Sequence, residues 1–325
     1  MTASADHLKA LVRSHASGDE EGFYSVAMQV AAKAARQGHN RLAGDLRELL
    51  EHARSQPVQR PETAKAVSPR GELDDLVSAD YPDTRLGDMT LSPNIRGSLD
   101  RVLHEQRQRE RLAHYGFMPA HRLLLVGPPG TGKSMTAAAL AHELSLPLFT
   151  IRLDGLISRF MGETSAKLRT IFDETVKTRA VYLFDEFDAL GAERSSGNDV
   201  GEARRILNTF LLFLDDTRPE SLVIAATNHR SILDRALFRR FDLVVSYEFP
   251  DTDAAVNVIR GRLAAMDTTA VEWQELAEHV GGLSHAELVR AAETAAKEAI
   301  LRDDDAIDTA QLIAALDERH AAQHD

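Results

Sequence analysis

A chain of 325 residues, 43% of them hydrophobic, is long enough for one large domain or two or three smaller ones and rich enough in apolar side chains to build real cores. It has no cysteine, which excludes a disulfide framework and thiolate chemistry and fits a reducing compartment. A formal net charge of −12 argues against general nucleic-acid affinity. The opening residues MTASADHLKA lack the apolar centre of a signal peptide, and no apolar run approaches transmembrane length, so the expectation is a soluble, cytoplasmic protein without membrane insertion.

Residues 1–54 predict three helices, clearest in DEEGFYSVAMQVAAKAAR, where Phe23, Val26, Ala27, Val30 and Ala34 fall at helical spacing. From 55 to 84 four prolines and a glycine interrupt any helix, which predicts a linker. Residues 85–250 then alternate short apolar runs with helical patterns: HRLLLV at 121, PLFTIRL at 147, AVYLFD at 180, SLVIAATN at 221 and LVVSYEF at 243. Strands that are apolar on both faces and separated by helix-length segments imply an α/β domain with a parallel sheet covered by helices. After Pro250 the strands stop, and residues 251–325 read as four helices, the third opened by a capping box at Ser284 and Glu287.

GPPGTGKS follows the strand HRLLLV and precedes the helical run MTAAALAHEL, which is the setting a phosphate-binding loop needs. Gly127, Pro128, Pro129, Gly130, Thr131 and Gly132 form a turn whose backbone N–H groups face phosphate oxygens at a helix N-terminus. Lys133 is expected to neutralise the β- and γ-phosphates and the Ser134 hydroxyl to serve as a magnesium ligand. VYLFDE puts Asp185 at the carboxyl end of a strand, placed to hold magnesium through water, with Glu186 beside it to polarise the attacking water. Asn228, at the end of the next strand, is placed to orient that water.

With these elements, residues 85–325 resemble the AAA ATPases, and TNHRSILDRALFRRFD resembles that family's second region of homology. The resemblance implies a P-loop NTPase sheet in the order 5-1-4-3-2 with a C-terminal helical lid. It further implies ATP and Mg²⁺ as cofactors, ATP hydrolysis, and assembly into a hexameric homo-oligomeric ring with ATP at each interface. The family has a Pro-Gly spacer that is absent before Phe241 and Asp242 here. Arg239 and Arg240 are both arginine-finger candidates, and Arg240 matches the arginine before Phe-Asp directly. Phe160, Met161 and Gly162 resemble the aromatic-aliphatic-glycine pore loop that grips polypeptide, and residues 191–205 occupy the place of the second pore loop. GGLSHAEL resembles the lid segment that contacts base and ribose, which implicates Ser284, His285 and Ala286, although His285 stands where glycine is usual. Arg290 is the nearest candidate for a lid sensor arginine and reads rather as surface. The N-terminal helices loosely resemble the three-helix microtubule-interacting-and-transport domains that recruit clients; a packing cap reads equally well.

The expected activity is Mg-ATP-dependent remodelling, unfolding or threading of a protein client through a central pore. The alternative is a DNA-directed or assembly-regulating switch that threads no polypeptide. Phe160 and Met161 at the pore tip, beside a single Arg159, favour a protein over DNA, whose phosphates call for lysine or arginine there. AHELSLP lacks the second histidine of a zinc-protease helix, so proteolysis requires a separate protease or enzyme partner.

Overall fold

The computed structural model describes residues 77–151, 153, 163–187, 199–216, 221–229, 235–302 and 306–322. The three N-terminal helices expected over 1–54 and the pore-loop residues Phe160, Met161 and Gly162 lie outside the described residues.

Six strands form one sheet: β1 (Val77–Asp80), β2 (Arg122–Val126), β3 (Leu148–Ile151), β4 (Val181–Phe184), β5 (Leu222–Thr227) and β6 (Leu243–Ser246), in the order β1-β3-β4-β5-β2-β6. All five runs expected as strands are present and pair in parallel. The expected order 5-1-4-3-2 is nevertheless corrected, because the sheet has six strands and is mixed. The difference lies in β1, which pairs antiparallel with β3 from Val77 opposite Ile151 to Asp80 opposite Leu148; counted from β2, the parallel strands alone run 5-1-4-3-2. β1 comes from the segment expected to be linker. Its burial pattern explains why it escaped notice: only Val77 is buried and the next three residues are exposed, so it has no apolar alternation to detect.

Helices cover the sheet. Against one face pack α1 (Pro93–Arg107), through Leu99, Val102 and Leu103, and α3 (Lys133–Glu143), through Ala137, Leu140 and Ala141. Ser92 caps α1 by accepting from the Ile95 N–H at 3.4 Å, with Pro93 at the first helical position, where its missing N–H costs nothing. A short helix α2 (Arg109–His114) follows. Elsewhere Phe172 of α4 (Glu163–Lys177) and Phe210 of α5 (Asp199–Asp216) close on Phe184 of β4, with ring centroids 5.0 to 5.7 Å apart. Helix α5 begins at Asp199, so the stretch 191–205 is not all loop: Ile206, Phe210 and Leu214, four residues apart and buried, draw it into a helix.

A one-turn helix α6 (Arg235–Phe238) precedes β6, and Asp251 then caps α7 (Thr252–Arg262) through the Ala254 N–H at 2.8 Å. With α8 (Trp273–Leu276), α9 (His285–Leu301) and α10 (Thr309–Ala322) it makes the four-helix unit expected after Pro250, around a core that includes Ile259, Leu276, Leu288, Ala292 and Leu312. Of the four, α7 stops at Arg262, short of the expected run to Met266, and α8 is a single turn within the expected AVEWQELAEHV. Its chain tightens into i→i+3 bonds at Glu278 and His279 ahead of Gly281 and Gly282.

Candidate active site

Three neighbouring parallel strands, β4, β5 and β2, end on the same side of the sheet, where ligands of open α/β folds bind. Asp185 follows β4, Asn228 follows β5 and the loop Gly127–Gly132 follows β2. These ends and the lid helices α7 and α9 enclose a cleft of about 1140 Å³.

The loop is as tight as its sequence requires. Gly130 has φ +73° and Gly132 has φ +97°, left-handed values open to glycine. A Cβ on Gly127 would lie 2.5 Å from the Tyr247 carbonyl oxygen, and one on Gly130 would lie 2.5 Å from Ser284 Oγ. The Ala286 N–H donates to the Gly130 carbonyl at 3.0 Å, so the lid helix α9 starts directly on the phosphate loop. Below, the hydroxyls of Thr136 and Tyr247 are 2.6 Å apart, and burial pushes the Tyr247 phenol up to about 12.

Lys133 is buried, and its ammonium donates to the carbonyls of Gly127 and Pro128 and to Asn228 Oδ1, each at 2.8 Å. Ser134 Oγ donates to Asp185 Oδ2 at 2.5 Å, while Asp185 Oδ1 accepts the Glu186 N–H at 2.9 Å. Glu186 is exposed, lines the cleft and has φ +49°. A left-handed glutamate costs of order 1 kcal/mol or more and persists where surrounding structure enforces it, as at functional sites. Ser134, Lys133, Asp185, Glu186 and Asn228 thus stand together on one wall.

On the lid wall Ser284 is buried and occupied by its capping box, its N–H donating to Glu287 Oε2 at 2.7 Å and its Oγ accepting from the Glu287 N–H at 3.3 Å. It supports the loop from behind, while His285 and Ala286 line the cleft. The imidazole of His285 donates to the backbone of Thr90, its Nδ1 is buried without a partner, and burial holds its pKa below the ordinary 6.5. Arg290, read from sequence as surface, is exposed but lines the cleft.

Met89, Thr90, Val258 and Arg262 also line the cleft, and sequence reading missed all four. No local pattern marks them, because the chain before α1 and the face of α7 are brought there by tertiary packing. Among the described residues no group of three or more His, Asp or Glu stands ready to hold a metal alone. A hydroxyl and a carboxylate beside a phosphate loop are instead the hard oxygen set that suits magnesium shared with phosphates and water.

The arginine turn stands elsewhere. Arg239 and Arg240 form the turn after α6, both are exposed, and neither lines the cleft; Arg240 pairs with Asp215 at the end of α5. Asp242 anchors the turn. Its Oδ2 accepts the N–H groups of His121 and Arg122 at 3.0 Å, and its Oδ1 takes the Arg122 guanidinium at 2.7 and 3.2 Å. Burial alone would raise the Asp242 pKa, but the Arg122 side chain, the two backbone donors and the His121 ring together hold it below 3.8.

Sheet, loop, acidic pair and helical lid define a phosphate-loop nucleotide hydrolase. A model of the ATPase family associated with various cellular activities (AAA) matches residues 123–249. The chain is 36% identical over 251 residues to the AAA family ATPase y4kL of Sinorhizobium fredii, a match covering 77% of this chain and 75% of that protein. It is 31% identical over 256 residues to the ATP-dependent zinc metalloprotease FtsH of a Sulfurovum species, covering 76% of this chain but 38% of that protein. Against protein CdcH of Halobacterium salinarum it is 35% identical over 225 residues, 66% of this chain and 29% of that protein. The chain belongs to the AAA ATPase family and is an ATP hydrolase. None of the helices among the described residues is long and apolar enough to cross a membrane.

Proposed function

We propose that the chain assembles into a hexameric ring that uses Mg-ATP to remodel or unfold a protein client drawn through a central pore. Residues 85–250 serve as the nucleotide-binding domain, 251–325 as its lid, and 1–54 as a client-recruiting module on the linker 55–84. The observation that carries the hydrolytic part is the wall where Lys133, Ser134, Asp185, Glu186 and Asn228 meet. Lys133 turns from the carbonyls of Gly127 and Pro128 to the β- and γ-phosphates of ATP. Ser134 and Asp185 would hold magnesium, which would supply charge neutralisation when bound. Glu186 accepts the proton of the attacking water, Asn228 orients that water, and Ala286 and His285 border the nucleoside.

Two features support a neighbour's participation: Arg239 and Arg240 are exposed and stand away from their own cleft. A guanidinium delivered from the adjacent subunit would add positive charge at the phosphates to that of Lys133. A protein client is supported by Phe160, Met161 and Gly162 in the sequence and by relatives whose name joins ATP to a zinc metalloprotease.

The test is a client trap. Glu186→Gln should bind ATP with unchanged affinity while hydrolysis falls by roughly 10² to 10⁴, and mass spectrometry should find proteins retained from native lysate only with ATP. Their release when Phe160→Ala is added supports threading. Retention indifferent to Phe160 defeats it and favours an assembly-regulating switch, and salt-sensitive retention of DNA favours a DNA-directed one.

A further inference from the structure

The arginine turn meets the start of β2 through more bonds than an exposed turn needs. Asp242 follows Arg240 by two residues, with the buried Phe241 between them, and both of its carboxylate oxygens are engaged. Oδ2 accepts the N–H groups of His121 and Arg122 and lies 3.2 Å from the His121 ring, while Oδ1 takes both Nε and Nη2 of Arg122. In return the Asp242 N–H donates to the Arg122 carbonyl at 2.8 Å. On the other side of the turn the Arg240 N–H donates to the carbonyl of the buried Leu237 at 3.0 Å. The backbone of the turn is thus fixed at both ends, and the side chains of Arg239 and Arg240 stand exposed between.

The base of this clamp is itself held. Arg122 opens β2, whose next four residues are buried. Just ahead of it Ala120 is tied twice to α1: its N–H donates to the Glu105 carboxylate and its carbonyl accepts from the Gln106 amide, each at 2.8 Å. Arg122 has no part in the cleft of its own chain, since it lies at the end of β2 opposite the phosphate loop and does not line that cleft.

Magnitudes say what such a clamp is for. The Arg122 and Asp242 side chains are each 24% exposed, and an ion pair that water reaches adds little stability. Position is more demanding: moving a group that acts on the transition state by about 1 Å can cost roughly 10²-fold in rate. The backbone bonds already close the turn onto the strand, and the guanidinium on Oδ1 fixes which way the carboxylate, and the turn with it, faces. We propose that Arg122 is a positioning residue for hydrolysis in the neighbouring subunit, setting through Asp242 where Arg239 and Arg240 are presented. The proposal rests on the ring reading and adds to it the residue that aims the arginine.

Arg122→Ala should fold and bind ATP as the wild type does, with KM unchanged, while kcat falls by roughly 10- to 100-fold. Arg122→Lys, whose single ammonium still reaches Oδ1, should regain part of that loss. Mixing then locates the defect. Arg122→Ala combined with Lys133→Ala should recover activity, because its intact clefts receive arginine turns from Lys133→Ala neighbours; a residue that only held its own domain together would leave those clefts impaired. Arg240→Ala in the same mixture is the reference. Arg122 does not aim the turn, and the ring stands, if Arg240→Ala is rescued while Arg122→Ala is not, if Arg122→Ala hydrolyses ATP at the wild-type rate, or if Arg122→Lys is no better than alanine. Arg240→Ala that is fully active, or unrescued in a mixed oligomer, defeats the reading of the arginine turn and this proposal with it. Should Arg122→Ala not fold, Arg122→Gln, which keeps the stem and loses the charge, takes its place in the same mixture.

Discussion

The phosphate loop and the arginine turn are built on opposite terms. The loop is complete within one subunit: Lys133 uses three acceptors, Ser134 is bonded to Asp185, and Gly130 touches both Ser284 and Ala286. The arginine turn is just as firmly anchored, through Asp242 to His121 and Arg122, but Arg239 and Arg240 are exposed and do not line the nucleotide cleft. On the proposed ring assembly, the difference assigns one half of the active site to the chain's own fold and the other to a neighbour.

The largest expected effect tests that division directly. Arg240→Ala should keep ATP affinity and lose about 10³-fold or more in hydrolysis, whereas Lys133→Ala should weaken ATP binding itself, by roughly 10- to 100-fold for one charged hydrogen-bonding group. Mixed together, the two dead variants should regain activity, since each Arg240→Ala site can receive the arginine of a Lys133→Ala neighbour. A steady-state ATPase assay of the mixture decides it: no recovery in a mixed oligomer would place the essential arginine in its own subunit.

A smaller effect probes how the loop holds the lid. Gly130→Ala meets both an unfavourable φ of +73° and Ser284 Oγ at 2.5 Å, so it should destabilise the chain by about 1–3 kcal/mol and loosen the lid. Calorimetry with and without nucleotide checks this: thermal midpoints equal to wild type in both states would show that the loop and α9 do not depend on each other.

The least effect is expected from pH at the anchor of the arginine turn. The folded-state pKa of Asp242 lies below 3.8, so its contribution is complete above that value and is lost as pH falls through the folded one. Asp242→Asn should remove that acid dependence and cost under about 1 kcal/mol at neutral pH, because the pair with Arg122 is partly exposed. Denaturant titrations of both proteins between pH 2 and 7 would expose any departure, a constant difference across the range being the outcome that fails.

What was legible in the sequence follows from the range of the interactions. β2, β4 and β5 are buried on both faces, so their apolar runs stand out, and the loop after β2 carries glycines whose reason is local backbone geometry. Asp185 and Asn228 were placed by counting from strand ends. The lid wall was legible only in part: Ser284 and Glu287 show a capping box, but nothing local says that Ser284 props up Gly130 or that His285 reaches Thr90. Arg290 reads as surface because α9 is amphipathic and its polar side meets the cleft only after the lid packs. β1 was hidden because an edge strand with three exposed residues needs its partner β3 to exist at all.

That edge strand has a consequence for handling the protein. By hydrogen-bonding to β3, residues 77–80 cover the row of backbone groups that β3 would otherwise present to any extended chain. β1 is itself short and ends on Asp80, which makes it a poor template for further pairing. A truncated chain beginning at residue 81 would keep every residue of the hydrolytic wall and still uncover a sticky margin. Loss of solubility in such a fragment would then report aggregation through the bared β3 and say nothing about the ATPase.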